Sequence, residues 1–296
     1  MKNSPKQWAN LQGYMAILFW SFAAFFVGLT SQLPPFLLTS LETFVGFIFF
    51  VVIWLRTPAR LIQLRRQPWR VWLLFALPTI GYAGFYYCGL KLAPIAEANL
   101  LNYLWPLLIV VLPTILERHK LSKMVLIGSL FCFTGVICIG LNSKQGSFSF
   151  QPGHFFAIAG AFTWALYSVL TRRFPAAPVD AVGLMGLISS IFFLIAHRLF
   201  ETPVDLSTMS WSGWVGVVAL GLCGAPTYIL WDKAMTKGDR EKVAVAAYYT
   251  PLLSTLCLIL FGHVTMSFLV WTAAALILGG SILARMNTET SLKNKE

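Results

Sequence analysis

Charge is what this sequence has least of. Only 11% of its 296 residues are Asp, Glu, Lys or Arg, against about a quarter in an ordinary soluble domain, so a water-facing surface of normal size cannot be built from it. Histidine is scarce as well: His119, His154, His197 and His263 all fall in or beside loops, and neither HExxH nor GxSxG occurs. With no nucleophile and base at depth, the features of an intramembrane enzyme are missing. A phosphate-binding GxxxxGK[ST] loop is lacking too, which excludes work driven by the chain's own ATP hydrolysis. The five cysteines (Cys88, Cys132, Cys138, Cys223, Cys257) show no CxxC or Cys/His ligand spacing. They read as small apolar fillers, and no metal or cofactor is expected.

What the chain has in abundance is hydrophobic residues, 57% of the total, and aromatics, 15%. Apolar stretches of about twenty residues recur, each about 30 Å long as a helix, which matches the hydrocarbon thickness of a bilayer. Ten are predicted, at 11–30, 36–55, 69–90, 94–115, 122–141, 153–171, 180–199, 211–231, 243–262 and 266–285. The joins are too short for a soluble domain, so the fold class is an all-α integral membrane bundle whose chemistry lies within the bundle. A cleaved signal peptide would also give an apolar run at 11–30, but this run is too long and nine more follow.

The net charge of +11 is not spread evenly, since 19 of the 22 Lys and Arg lie at the two ends of the chain and in alternate loops. Only Lys91, Lys144 and Arg198 fall in the others. That distribution is the positive-inside pattern and puts both termini in the cytoplasm; it speaks against nucleic acid as a partner.

The chain also repeats itself. Aligning NYLWPLL (102–108) with AYYTPLL (247–253) superposes Tyr103 on Tyr248 and Pro106 on Pro251, an offset of 145, and the same offset brings Tyr86 onto Trp231. At 144, Trp20 meets Trp164 and Pro34 meets Pro178. Five spans is an odd number, so a second copy crosses in the opposite sense, and two inverted repeats are expected, 1–146 and 147–296. Such repeats place a substrate site near the midplane between paired discontinuous helices. Pro78, Gly81 and Gly84 in the third span and Gly221, Gly224 and Pro226 in the eighth suggest one pair of interrupted helices. Pro106 and Pro251 suggest another, with the carbonyls of Asn102 and Ala247 left without helical partners.

Three motifs, E-x-x-x-x-NYLWP at Glu97 to Pro106, GAFTWALY at 160–167 and AYYTP at 247–251, together with the architecture, resemble the EamA family of the drug/metabolite transporter superfamily, and within it the bacterial aromatic amino acid exporters. The resemblance implies an inner-membrane secondary transporter that exports aromatic and other hydrophobic amino acids by alternating access through a central aromatic-lined cavity. A multidrug or other amphipathic-metabolite exporter of the same superfamily is the alternative. The unit is expected to work as a monomer in the lipid bilayer, with a small-molecule substrate as its partner. By the same resemblance Asn102, Tyr103, Trp105, Pro106, Trp164, Tyr167, Tyr248 and Pro251 are expected to bind substrate, with Tyr82 and Trp231 placed by local similarity. Glu42 departs from the family pattern.

Read from the residues themselves, Trp8, Trp54, Trp69, Trp72, Trp211, Trp214, Trp231 and Trp271 lie near span ends and fit an interfacial belt. Trp20, Trp105 and Trp164 sit mid-span, where helix packing accounts for each as well as ligand contact does. Gly160, Trp164, Tyr167, Ser168 and Thr171 form one polar-aromatic stripe, as do Asn99, Asn102, Tyr103 and Pro106, and stripes of this kind face protein or water. In a regular helix Trp105 points about 200° from Tyr103, so both reach one cavity only if the helix is distorted. A wall of tyrosine and tryptophan with few fixed charges suits a flat, net-neutral zwitterion. Glu42 and Glu97 are the candidates for coupling or gating. Glu42 is read as lying toward the outer face, away from the stripes, and as tuning a facilitated or loosely proton-coupled flux; Glu97 suits a helix N-terminus equally well.

Overall fold

The computed structural model describes residues 4–118, 120–142, 151–260 and 267–293. The predicted boundary between residues 146 and 147, and Lys2, His119, Lys144, His263 and Lys295, lie outside them. Every regular element among the described residues is helical. In chain order they are α1 (Pro5–Leu29), α2 (Pro35–Arg56), α3 (Pro58–Leu64), α4 (Trp69–Ala76), a π-helical turn (Leu77–Tyr82), α5 (Ala83–Leu92), α6 (Ile95–Asn102), α7 (Trp105–Leu116), α8 (Lys123–Asn142), α9 (Pro152–Leu170), a 3-10 turn (Thr171–Arg173), α10 (Ala181–Phe200), a second 3-10 turn (Leu206–Thr208), α11 (Trp211–Lys237), α12 (Arg240–Ala246), α13 (Tyr249–Leu260) and α14 (Phe268–Lys293).

Seven helical stretches among the described residues are long and apolar enough to cross a membrane: Pro5–Leu29, Pro35–Arg56, Trp69–Leu92, Glu97–Leu116, Pro152–Arg173, Ala181–Phe200 and Trp211–Lys237. Lys123–Cys138 and Phe268–Ala284 are shorter apolar helices. Local sequence sets the starts. Ser4 and Gln7 form a capping box ahead of Pro5 in α1, and Ser210 accepts from the Gly213 N–H at the head of α11, each pairing N–H groups that a helix N-terminus leaves open.

The helices pack in cross pairs. α8 lies along α14, α2 along α10, α1 along α11 and α13, and α9 along α5, α6 and α7. The α2–α10 pair is antiparallel and clasped at both ends. Glu201, just past α10, accepts from the Phe36 and Leu37 N–H groups at the start of α2 (3.0 and 3.3 Å). At the other end Asp180, just before α10, accepts from the Trp54 indole (3.0 Å) and from Arg60 (2.9 and 3.2 Å). Midway, Ser40 and Ser190 each donate to the other's carbonyl at 2.8 Å. In α8 and α14 the exchange is steric: a Cβ on Gly128 would stand 2.4 Å from the Gly280 carbonyl, and one on Gly280 2.5 Å from that of Gly128. Backbone meets backbone there, the small-residue packing by which helices associate in lipid.

Two interruptions bear on the site. The chain leaves α6 at Asn102, turns through Tyr103 and Leu104 and re-enters a helix at Trp105. It does the same between Ala246 and Tyr249. The two prolines thus sit in the first turn of the second half-helix, where a missing N–H costs nothing. The expectation that Ala247 would keep an unpartnered carbonyl is corrected, because Thr250 donates to it at 3.0 Å, a tightened i+3 bond. The third span is interrupted as expected, by the π turn at Pro78, and Ser189 donates to the Thr79 carbonyl there (2.7 Å). Its predicted counterpart is corrected: α11 runs unbroken through Pro226.

The glycine contact of α8 and α14 gives the first prediction. Gly128→Leu should be destabilising by about 1–3 kcal/mol, as overpacking generally is, and should lower the melting temperature of the purified protein. Gly28→Ala, with nothing within 4 Å of its Cβ, should leave it unchanged or raised. Equal melting temperatures for the two variants would remove the close contact.

Candidate functional site

Both helix breaks open onto one cavity of about 700 Å³. At its floor stands a cluster of four tryptophans from four helices: Trp20 of α1, Trp105 of α7 and Trp164 of α9, which line it, and Trp231 of α11, which is fully buried against them. All six ring pairs lie within 5.1–6.2 Å between centroids, mostly tilted or edge-on, the arrangements that the ring quadrupole favours. Two of the indoles are tied to neighbours, Trp20 donating to the Thr227 hydroxyl (3.1 Å) and Trp231 to that of Ser168 (3.0 Å). Trp231 and Trp54 are buried, which corrects their assignment to an interfacial belt: proximity to a span end in sequence says nothing about which way the side chain turns. Trp8, Trp69, Trp211 and Trp271 are exposed, as a belt requires.

Above the tetrad one wall is tyrosine. The rings of Tyr82 and Tyr86 stack at 5.7 Å and 4° between planes, Tyr82 reaches Trp164 at 5.2 Å, and Tyr86 reaches Tyr87 at 5.6 Å. Hydrogen bonds fix this wall to α6: Asn102 donates to the Tyr82 hydroxyl (3.2 Å) and Tyr86 to the Asn99 side-chain oxygen. The π turn ends at Tyr82 and shifts the phase of the helix just ahead of Tyr86 and Tyr87. Neither of these two stands among the substrate-binding candidates expected from the sequence. The i, i+4 spacing of Tyr82 and Tyr86 was the available signal.

Of the residues expected to bind substrate, Tyr82, Asn102, Tyr103, Trp105, Trp164 and Pro251 line the cavity. Tyr103 and Trp105 share it because the break at Tyr103 and Leu104 removes the regular 200° between them. Pro106, Tyr167 and Tyr248 are buried behind the wall instead; Tyr167 packs between Phe75 and Trp164 (5.9 and 5.7 Å). Thr250, Ser254, Tyr228 and Thr227 line it too, contributions that residue type alone did not mark.

Three buried polar atoms on the lining residues have no hydrogen-bond partner among the described residues: Asn102 Oδ1, Trp164 Nε1 and the Thr250 hydroxyl. Such groups are costly unless something enters to meet them. Glu42 also lines the cavity, its Oε1 accepting from the Tyr87 hydroxyl at 3.4 Å. This corrects its placement away from the aromatic stripes. The tyrosines of α5 carry the wall up to it, and no count of helical rise along α2 could reveal that. Glu97 does not line the cavity. His154 accepts the Gln151 N–H at Nδ1 (3.0 Å), so its Nε2 proton points to Glu97 at 2.9 Å, tying α6 to the start of α9.

The end of the bundle that carries the basic loops is closed. Arg240 binds Glu117 through two hydrogen bonds (3.1 and 2.6 Å), which hold the Glu117 carboxyl below its ordinary range. Arg172 donates to the carbonyls of Met235 and Gly238 (2.8 and 2.7 Å), and Lys6 meets Asp239 at 3.2 Å. The cavity occupies the other half of the bundle, from the tetrad up to Thr39 and Tyr87.

Comparison with known proteins places the chain in a known family. The profile of the EamA-like transporter family matches the chain twice, over residues 7–141 and 151–286. The aromatic amino acid exporter YddG of Ancylobacter novellus is 38% identical over 287 residues, 94% of this chain and 97% of its own. The exporter of the same name from Escherichia coli K12 is 25% identical over 226 residues, 71% of each chain. One solved crystal structure, 37% identical, superposes with a TM-score of 0.86 over 95% of this chain and 98% of that one. These relatives are transporters and not enzymes. With the family matched along nearly its whole length, this multi-pass membrane chain belongs to the EamA-like transporter family.

Proposed function

We propose that the chain exports aromatic and other hydrophobic amino acids across the bacterial inner membrane, working as a monomer by alternating access. The observation that carries the reading is the cavity itself. Its wall is aromatic, and its three unpartnered polar atoms are of both kinds, two donors in Trp164 Nε1 and the Thr250 hydroxyl and one acceptor in Asn102 Oδ1. A zwitterion offers the complement of each, a carboxylate to the donors and an ammonium to the acceptor, while its ring lies against Tyr82, Tyr86 or the tetrad. The heads of α7 and α13 border the same space, and a helix N-terminus adds partial positive charge for the carboxylate. The two bacterial relatives, both aromatic amino acid exporters by name, point the same way.

The proposed architecture is ten spans in two inverted repeats, 1–146 and 147–296, with both termini cytoplasmic. Seven stretches are long enough alone; α8, the α12–α13 pair and α14 make ten. Support for the repeat comes from the pairing of helices. Span two meets span seven and span five meets span ten, each through reciprocal contacts. The contact of span one with span eight mirrors that of span six with span three. A two-fold relation between halves requires this pattern. The two separate family matches fall on the same two halves. Closure at the basic-loop end with the cavity in the opposite half corresponds to a state facing away from the cytoplasm.

Two outcomes are expected. A reporter fused after Glu296 should be active only as a cytoplasmic reporter; periplasmic activity would reverse the orientation. In proteoliposomes, Trp164→Ala should slow tryptophan flux about fivefold, because an aromatic pairing is worth about 1 kcal/mol, with the protein still recovered in normal amount. Unchanged flux would make Trp164 a packing residue only.

A further inference from the structure

The cavity wall carries one acidic side chain. Glu42 lines it, and among the described residues no lysine, arginine or histidine does. The carboxylate is not neutralised by a salt bridge to any described residue; the partner shown for it is the Tyr87 hydroxyl at 3.4 Å. From there rings run without interruption, Tyr87 to Tyr86 (5.6 Å), Tyr86 to Tyr82 (5.7 Å) and Tyr82 to Trp164 (5.2 Å). A carboxylate at one end of a row of aromatic faces is the composition that recognises an organic ammonium carrying a ring: the charge meets the carboxylate, and the flat body and its N–CH₂ hydrogens lie over ring faces. An ionisable residue at membrane depth facing a cavity characteristically marks a substrate or ion pathway, a proton relay or a ligand's counter-ion.

The donors that would hold a substrate carboxylate are neutral, an indole N–H and a threonine hydroxyl. Those donors make charge-assisted hydrogen bonds to a carboxylate, but an ammonium meeting an ionised Glu42 adds the attraction between two full charges. The electrostatic balance of the wall therefore favours the ammonium end of a ligand over its carboxylate end, and the carboxylate is the more dispensable of the two.

We propose that Glu42 is the counter-ion for the substrate ammonium, and that the cavity consequently accepts aromatic amines lacking a carboxylate, of the arylethylamine class, alongside aromatic amino acids. This rests on the aromatic amino acid reading of the same cavity and adds to it the group that selects charge. It assigns Glu42 to ligand recognition, a different part from tuning a flux at a distance.

Three probes sharing one ring separate the contributions: tryptophan, tryptamine and indole-3-propionate, which are zwitterion, cation and anion. Binding to the purified protein is measured by titration calorimetry, and flux by counterflow in proteoliposomes, for the wild type, Glu42→Gln and Glu42→Asp. The wild type should bind and carry tryptophan and tryptamine and exclude indole-3-propionate. Glu42→Gln should weaken tryptamine at least tenfold and tryptophan by less, while improving indole-3-propionate. Glu42→Asp, which keeps the charge, should retain tryptamine, and equal melting temperatures for the three proteins show that a loss is not misfolding. If the wild type takes tryptophan but not tryptamine, the inference is overturned and the amino acid reading stands. If Glu42→Gln takes tryptamine as well as the wild type does, Glu42 is not the counter-ion and the inference is likewise overturned. Failure of the folded wild type to take either ligand overturns the amino acid reading and this inference together.

Discussion

Inside a bilayer no water is available to satisfy a broken helix, and this constraint orders the rest of the structure. Every backbone N–H or C=O released at a break must find protein or a water-filled space. The chain breaks its helices at Tyr103 and Tyr248 and widens a third at Pro78. Each site is resolved inward: Thr250 closes onto the Ala247 carbonyl, Ser189 donates to that of Thr79, and the residues flanking the breaks border the cavity. Protein donors packed around the cavity are therefore the condition under which the breaks are tolerated. The tryptophan tetrad beneath the cavity separates that polar space from the closed end of the bundle.

The exchanges between helices have a common form. Glu201 caps α2 from the end of α10, Asp180 holds the end of α2 from the start of α10, and Ser40 and Ser190 trade hydrogen bonds between them. Burying Asp180 and Glu201 would be costly if either were alone. Each is met by donors on the partner helix, so these carboxylates fix the register of the pair. The Gly128–Gly280 contact fixes the register of α8 on α14 by shape, with no charge at all. The remaining helices, α1, α9, α11 and the two broken spans, share their contacts around the cavity.

Helical class, the apolar stretches, the break in the fourth span and the aromatic character of a cavity were legible in the sequence, because each depends on local composition or on spacing along one helix. What could not be read depends on which way a side chain turns after a distortion. Trp231 was placed in a belt from its position near a span end, yet it completes the tetrad. Glu42 was placed apart by helical rise, yet the π turn brings Tyr87 to it. Tyr167 shares a helical stripe with Trp164 but lies one turn deeper, behind the wall. Pro226 suggested a break that α11 does not make, since a proline alone does not decide whether neighbours will hold a helix straight. Family resemblance supplied the candidates at both breaks, and geometry then divided them between wall and support.

The unpartnered atoms of the wall bear on how binding and movement can be linked. With the cavity open, Asn102 Oδ1, Trp164 Nε1 and the Thr250 hydroxyl are already buried without a partner among the described residues. A buried group left without a partner costs about 1–3 kcal/mol, and closing the cavity empty would leave that cost in place. A ligand that meets both donors and the acceptor removes that penalty, and one that meets only some of them removes part of it. Under alternating access the loaded protein would then pass through the closed state more readily than the empty one. The difference arises from polar atoms whose only complement is the cargo, because a ligand shifts a conformational equilibrium only by as much as it prefers one state over the other. The aromatic faces cannot supply that preference alone. Rings that pack a ligand in the closed state can pack against each other without it, as the tetrad does.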